Sequence, residues 1–193
     1  MKKVLFVIST LTGGGAERTV STLSQKFSED ISCDVLLNSV SSEDYPFHGK
    51  KISLGMKPRA KKSMWYQARA AVKRFRRLLV LKKSKDYDAV ISFMESANFL
   101  NIVTGNRKCK VIVSVRNKLS AEYKGIYQLI NLAARFLYRR ADYVVAVSKD
   151  VEDDLIKNIG VPVNKCVTIY NGYDTSKFFC REKENISKKQ IEF

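Results

Sequence analysis

The sequence has little of what metal sites, disulfide scaffolds and membrane spans are made of. Its 193 residues include one histidine, His48, and four cysteines. The cysteines form no CxxC pair, and they stand at Cys33, Cys109, Cys166 and Cys180. We therefore expect no zinc site, and we expect buried thiols in a reducing cytoplasm. No apolar run is long enough for a membrane span, and the N-terminal run is too polar for a signal peptide.

Acidic residues are also scarce. The 35 lysines and arginines face only 19 aspartates and glutamates, which gives a formal net charge of +16. Such an excess favours an anionic partner, which can be nucleic acid, a membrane surface or a polyanionic substrate. The chain carries no helix-turn-helix, RNP-like or zinc-finger pattern, so nucleic acid is not the expected partner.

Apolar runs alternate with amphipathic segments along the whole chain. Strands are predicted at residues 4–9, 32–37, 51–54, 88–93, 110–115, 143–147 and 166–170. Helices are predicted at residues 16–28, 63–83, 96–104, 122–140 and 149–159, the last capped by Ser148. This alternation predicts an α/β fold, a Rossmann-like parallel sheet with helices on both faces. We expect one domain at residues 1–175 and a polar tail or truncated linker at residues 176–193.

A glycine-rich turn follows the first strand. Gly13, Gly14 and Gly15 let the backbone pass close to a ligand, and the helix that begins near Ala16 would direct N–H groups at an anion. A tight strand-to-helix turn without a ligand explains the glycines equally well. Because ligands of such sheets lie beyond the carboxyl ends of the strands, the polar residues at those ends are the candidates for a site.

Residues 64–81 are predicted to form a strongly basic amphipathic helix. An apolar arc of roughly 120° is predicted to pack on the sheet, and it contains Met64, Ala68, Ala71, Val72, Phe75, Leu78 and Leu79. The basic set comprises Lys57, Arg59, Lys61, Lys62, Arg69, Lys73, Arg76 and Arg77, with Trp65 beside it. A crossover helix explains the apolar arc. An anionic membrane surface also explains the cations and the aromatic side chain, so we expect peripheral docking on the cytoplasmic leaflet.

Four segments in one order carry a family resemblance. They are GGGAER at residues 13–18, VRN at 115–117, YRRADYVVAVSKDVEDDL at 138–155 and GVPVNKCVTIYNGYD at 160–174. Together they resemble the N-terminal half of retaining glycosyltransferases of family four, which have the GT-B fold. The resemblance implies a Rossmann-like domain that mostly holds the acceptor, facing a second domain that holds the nucleotide-sugar. Bacterial members with this turn commonly build lipopolysaccharide, capsule or other lipid-linked glycans.

The resemblance also implies roles for individual residues. Donor and phosphate contacts are expected at Gly13, Gly14, Gly15, Glu17, Arg18 and Asn171, catalytic groups at Glu95, Arg116 and Asn117, and an acceptor contact at Asn98. Arg116 and Asn117 fall where many members place a histidine or another polar group at the transferred sugar. Simpler roles stay open: pairing with an acidic neighbour for Arg18, a helix N-terminal role for Glu95 and Asn98, and turn chemistry for Asn171.

Retaining transfer in this family uses no protein nucleophile. Positive charge and backbone N–H groups stabilise the leaving diphosphate, so the resemblance implies neither a metal nor another cofactor. The family's second domain, with its Arg/Lys pair and two glutamates, has no counterpart in the sequence. We expect an excised N-terminal domain or a partner chain that supplies the rest, and an inactive chain on its own. A non-catalytic, membrane-binding subunit that pairs with a separate donor-binding chain is the alternative.

Overall fold

A computed structural model describes residues 1–56, 64–84, 86–105, 108–122 and 128–172. The seven strands in this part of the chain are β1 (Lys2–Val7), β2 (Ile31–Leu37), β3 (Lys50–Ser53), β4 (Ala89–Phe93), β5 (Lys110–Val115), β6 (Tyr143–Ala146) and β7 (Cys166–Thr168). They form one sheet in the order β3-β2-β1-β4-β5-β6-β7, with every neighbouring pair parallel. The predicted α/β, Rossmann-like fold is confirmed.

Six α-helices lie in the described ranges: α1 (Gly15–Lys26), α2 (Met64–Lys83), α3 (Glu95–Val103), α4 (Leu119–Glu122), α5 (Gln128–Leu137) and α6 (Lys149–Asp154). Residues 122–140 were predicted as one helix, and residues 123–127 of this range lie outside the description. The described part contains the end of α4, then α5 and a 3₁₀ turn at Tyr138–Arg140 in place of a final α-helical turn. Ser148 caps α6 as predicted, because its Oγ accepts a hydrogen bond from the Val151 N–H. None of the described helices combines the length and the apolarity of a membrane-crossing segment.

Alternate side chains of the strands enter two separate layers. Val4 and Phe6 of β1 pack with α1 on one face of the sheet. Leu5 and Val7 of the same strand pack on the other face with Leu78 of α2 and with residues of α3. Helices therefore cover both faces, as predicted. All carboxyl ends of the strands meet at one edge, which is where the candidate site was expected.

The predicted orientation of α2 is wrong for most of the apolar arc. Met64 and Val72 of the predicted inward arc are 81 % and 52 % exposed, and Phe75 is exposed as well. The helix buries Ala70, Arg74, Leu78, Leu81 and Lys82, so Leu78 is the one fully buried member of the predicted arc. The physical reason is that both buried cations find oxygen atoms on the inner side of the helix, which a hydrophobic pattern does not register. Met64, Ala68, Val72 and Phe75 of the predicted arc are thereby exposed.

Two predictions fall outside the described residues. The basic residues Lys57, Arg59, Lys61 and Lys62 precede the described start of α2. The predicted domain end at residue 175 and the tail at 176–193 follow the last described residue, Gly172. Both stay predictions.

Candidate functional site

Three segments of the chain meet at the carboxyl edge of the sheet. Arg116, directly after β5, donates from Nη2 to Oδ1 of Asn171 at 2.7 Å and to Oγ1 of Thr19 at 3.0 Å. Thr19 lies in α1, and its hydroxyl contacts the Gly15 carbonyl oxygen at 2.9 Å. The structure thus joins two predicted site residues, Arg116 and Asn171, to the helix that follows the glycine turn. Thr19 was not predicted, although its place one turn after Gly15 is visible in the sequence.

The backbone geometry of the turn favours glycine at two of its three glycine positions. Gly13 has a φ of 80°, in the left-handed region that other residues rarely adopt. Gly14 is the N-cap of α1, and a Cβ at this position would collide with the carboxylate of Glu17, which folds back over the turn. No side chain caps the described start of α1, so the first N–H groups of the helix remain directed at the edge.

Arg18 is held by an aromatic ring. Its guanidinium lies 5.9 Å from the centroid of the Tyr45 ring, a cation–π arrangement. This contact is with an aromatic ring, whereas the alternative left open by the sequence was an ion pair with an acidic neighbour. A phosphate-binding role for Arg18 stays a prediction.

The turn between β4 and α3 combines an unusual backbone with a buried polar network. Met94 has a φ of 72°, the one positive value among the described non-glycine residues. Asn98, predicted to contact an acceptor, is fully buried: its amide donates to the Ser114 carbonyl oxygen and its Oδ1 accepts from Ser92. Direct contact with an acceptor would require this network to open. Glu95 is also buried, in the first turn of α3.

Asn117 stands apart from the Arg116 cluster. Its side chain is exposed and donates from Nδ2 to Oε2 of Glu122 at 2.8 Å. The structure therefore does not bring Asn117 together with Arg116, although the two are neighbours in sequence.

A second arginine, which the sequence did not single out, lies beneath the same edge. Arg74 of α2 is 3 % exposed and donates from Nη2 to Asn38 Oδ1 at 2.8 Å and to Ser9 Oγ at 3.0 Å. Burial lowers the pKa of its guanidinium to about 10. The sequence contained one indication that Arg74 is buried: its spacing places it on the same helical face as Ala70 and Leu78.

The cysteines do not form a reactive or metal-binding centre in the described chain. Cys33, Cys109 and Cys166 are buried thiols outside disulfides in the described residues, and burial raises the pKa of each, that of Cys166 to about 11. Thiols with raised pKa values are poor nucleophiles. Over the described ranges, no three acidic, cysteine or histidine side chains are grouped so as to hold a metal ion.

The outer surface of α2 presents apolar and basic side chains side by side. Trp65 is 81 % exposed, next to the exposed Met64, Val72 and Phe75. The predicted basic residues of this helix are exposed too: Arg69, Lys73, Arg76 and Arg77. A pocket of about 350 Å³ lies here, lined by Trp65, Ala68, Arg69, Val72 and Lys73. We call this region the α2 outer surface.

Comparison with known proteins places these features in context. The family model described as Glycosyltransferase Family 4 matches residues 13–177. A curated relative from Campylobacter jejuni is 27 % identical over 212 aligned residues, which cover 100 % of this chain and 52 % of the relative. That relative is an N-acetylgalactosamine-N,N'-diacetylbacillosaminyl-diphospho-undecaprenol 4-alpha-N-acetylgalactosaminyltransferase. The chain spans about half the length of this relative.

Solved structures show the same fold at low sequence identity. Anabaena Alr3699/HepE in complex with UDP-glucose superposes with a TM-score of 0.66 at 20 % identity, covering 91 % of this chain and 45 % of HepE. Sucrose-phosphate synthase from Thermosynechococcus elongatus gives 0.69 at 10 % identity, covering 91 % of this chain and 49 % of the synthase. In both comparisons the sheet and helices described above correspond to about half of the larger protein.

Proposed function

Because the chain belongs to glycosyltransferase family 4, we propose that it is the N-terminal, acceptor-side domain of a retaining glycosyltransferase. The observation that carries the proposal is the convergence of the Gly13–Gly15 turn, Arg116 and Asn171 at one edge of the sheet. The match to about half of each relative supports a single domain of a two-domain enzyme.

The substrates follow from the relatives. The Campylobacter relative is named for an undecaprenol-diphosphate acceptor, and the HepE structure contains UDP-glucose. We therefore propose a nucleotide-sugar donor and a lipid-linked or polysaccharide acceptor, of the kind used for lipopolysaccharide or capsule. Donor binding would fall mainly to a C-terminal domain, and the acceptor to the domain described above.

The chemistry expected at this edge is stabilisation of a leaving diphosphate. Arg116 supplies a positive charge that Thr19 and Asn171 hold in place, and the uncapped start of α1 supplies backbone N–H donors. Fixed groups of this kind act where negative charge develops in the transition state. The roles of Glu95, Asn117 and Asn98 remain predictions for the same reaction.

The test measures sugar transfer to a short-chain polyprenyl-diphospho-glycan with a panel of UDP-sugars. The chain is assayed alone and with a family C-terminal domain, supplied in trans or as a fusion. We expect transfer only in the combined protein, and a loss of at least about a hundredfold in Arg116→Met. Arg140→Met, an exposed arginine of the same domain, is the matched control. Tight donor binding by the chain alone would contradict this division of labour.

We also propose that the domain docks on the anionic cytoplasmic leaflet through the α2 outer surface. Its apolar side chains face away from the sheet, so they are available to enter a headgroup layer, while Arg69, Lys73 and Arg76 lie around them. Each cation near anionic lipid contributes about 1 kcal/mol, and a tryptophan favours the interfacial layer. A peripheral position would place the site next to a lipid-linked acceptor.

Sedimentation with vesicles tests the docking separately from catalysis. Phosphatidylcholine vesicles with 30 % phosphatidylglycerol should retain the chain, and vesicles of phosphatidylcholine alone should not. The double variant Trp65→Ser/Val72→Ser should lower binding about tenfold, whereas Val163→Ser, another exposed apolar position, should leave it unchanged. Equal binding of the chain to neutral and anionic vesicles would refute the proposal.

A further inference from the structure

Arg74 lies where three neighbouring strands end. Its Nη2 contacts Ser9, just after β1, and Asn38, just after β2. Its Nη1 donates to Oγ of Ser96 at 3.4 Å, in the first turn of α3 and therefore just after β4. The guanidinium is thus centred beneath the edge of the sheet that faces ligands in folds of this class. The glycosyl-transfer scheme above does not use it.

The three hydrogen-bond acceptors of Arg74 are uncharged side chains, and Tyr66 adds an electrostatic interaction that is smaller than the effect of burial. Within the described chain, no carboxylate lies within 4 Å of the guanidinium. A buried charge without a counter-ion is strongly disfavoured, and the lowered pKa of Arg74 reflects this penalty. A neutral side chain could tie the same three segments together without burying a charge. The positive charge itself therefore needs an explanation.

The charge is close to solvent in one direction. Ser96 is exposed and Ser9 is half-buried, whereas Asn38 is buried below them. The start of α3 lies on the same side, and no side chain caps it within the described residues. An anion above Ser9 and Ser96 would therefore face both the guanidinium and the N-terminal end of a nine-residue helix.

We propose that Arg74, Ser9, Asn38 and Ser96 form a phosphate-binding subsite whose ligand is a diphosphate group. The choice of a diphosphate rests on the proposed glycosyltransferase function, in which both donor and acceptor carry one. The arginine supplies the charge, and the two hydroxyl groups supply short, reorientable hydrogen bonds at the surface. Binding of the anion provides the missing counter-ion for Arg74.

Titration with inorganic pyrophosphate tests the subsite on the 193-residue chain. Calorimetry at low salt should show binding, and Arg74→Met should raise the dissociation constant at least tenfold. Arg140→Met removes the same charge from an exposed position outside α2, so it should change the constant less than twofold. Equal losses in the two variants would show only a general effect of net charge and would overturn the subsite.

A second variant keeps the test independent of the folding of Arg74→Met. Ser96 is exposed, so Ser96→Asp is compatible with the fold and places a carboxylate beside the guanidinium. We expect this variant to lose pyrophosphate binding at least tenfold and to gain thermal stability, because the buried charge acquires a counter-ion. Unchanged pyrophosphate affinity in Ser96→Asp would overturn the proposal.

Two further ligands identify the source of the phosphate. UDP represents the donor and farnesyl diphosphate represents a lipid-linked acceptor, and the one whose affinity falls in Arg74→Met occupies the subsite. These readouts are binding constants, so they do not depend on transfer activity. If Arg74→Met loses pyrophosphate affinity but no combination of domains transfers sugar, the glycosyltransferase proposal is refuted and the subsite proposal stands. Normal transfer with unaltered pyrophosphate affinity in Arg74→Met would refute the subsite alone.

Discussion

Helices α1 and α2 cover opposite faces of one sheet, yet they distribute their side chains in opposite ways. Helix α1 buries Ala16 and Val20 against β1 and β2, and no large apolar side chain is exposed along its described length. Helix α2 buries Arg74 and Lys82 around Leu78. It exposes a row of large apolar side chains: Met64, Trp65, Val72, Phe75 and Val80.

The difference separates a helix whose apolar side chains are all used by the fold from one that leaves large apolar side chains exposed. The apolar side chains of α1 pack against the sheet. On the polar side of the helix, Thr19 accepts a hydrogen bond from Arg116. In α2 the stripe that packs inward is mixed, and the more apolar stripe faces outward. An inward charge and an outward apolar row are each unfavourable in isolation, and the two proposals above assign a partner to each of them.

The largest effect should separate the inner and outer faces of α2. Leu78 is fully buried among residues of both the sheet and α3, so Leu78→Ala should lower the free energy of unfolding by about 3 kcal/mol. Val72→Ala, on the outer face, should change it by less than about 0.5 kcal/mol. Urea denaturation followed by circular dichroism measures both. Similar losses in the two variants would mean that α2 also packs through the side that carries Val72.

The fold was predictable because strands and crossovers leave strong local patterns. Each of the seven strands was located within a few residues, since buried runs in a parallel sheet are nearly continuous in apolar residues. The orientation of α2 was not predictable from the same pattern. It depends on Asn38 and Asn101, which accept hydrogen bonds from Arg74 and Lys82 and lie far from them in sequence.

The second effect concerns the buried lysine of α2. Lys82 is 1 % exposed, and burial lowers the pKa of its ammonium group to about 8 from 10.5. Between these two values the unfolded chain binds more protons than the folded chain, so stability rises with pH. The free energy of unfolding, compared with that of Lys82→Met, should therefore increase by about 2 kcal/mol between pH 7 and pH 10. Denaturant titrations at several pH values measure this difference.

The buried thiols require a control in that experiment. Burial raises the pKa of Cys109, which interacts electrostatically with Lys82, so its titration at alkaline pH acts against stability. Both the parent and the Lys82→Met variant should therefore be measured in a Cys109→Ala background. A stability difference that stays constant from pH 7 to pH 10 would show that Lys82 is charged equally in both states.

The site was predictable only in part, for a related reason. Arg116 and Asn171 stand directly beyond strand ends, and strand ends can be located from sequence. Thr19 and Arg74 occupy helices, and what makes them site residues is their hydrogen bonds to residues distant in sequence. Asn98 shows the converse: it follows a strand end, yet its side chain turns inward to Ser92.

A smaller effect tests the polar contact of α1. Thr19→Val keeps the shape and the branching of the side chain but removes the oxygen that Arg116 contacts. It should therefore lower the free energy of unfolding by about 1 kcal/mol. Thr22→Val, on the same helix, should lower the free energy of unfolding by less than about 0.5 kcal/mol. A double-mutant cycle of Thr19→Val with Arg116→Met isolates the interaction. Additive losses would mean that Arg116 and Thr19 are not energetically coupled.

The smallest effect lies at the start of α1. Alanine at position 14 would place its Cβ against the carboxylate of Glu17, which must then move away, and alanine is a poorer N-cap than glycine. Gly14→Ala should therefore lower the free energy of unfolding by about 0.5 kcal/mol. In a Glu17→Ala background the collision is absent, so the same substitution should cost measurably less. Thermal unfolding of the four proteins decides between the two causes: an undiminished loss in the Glu17→Ala background would assign the whole effect to the backbone of the cap, whereas a reduced loss would show that Gly14 makes room for the Glu17 carboxylate.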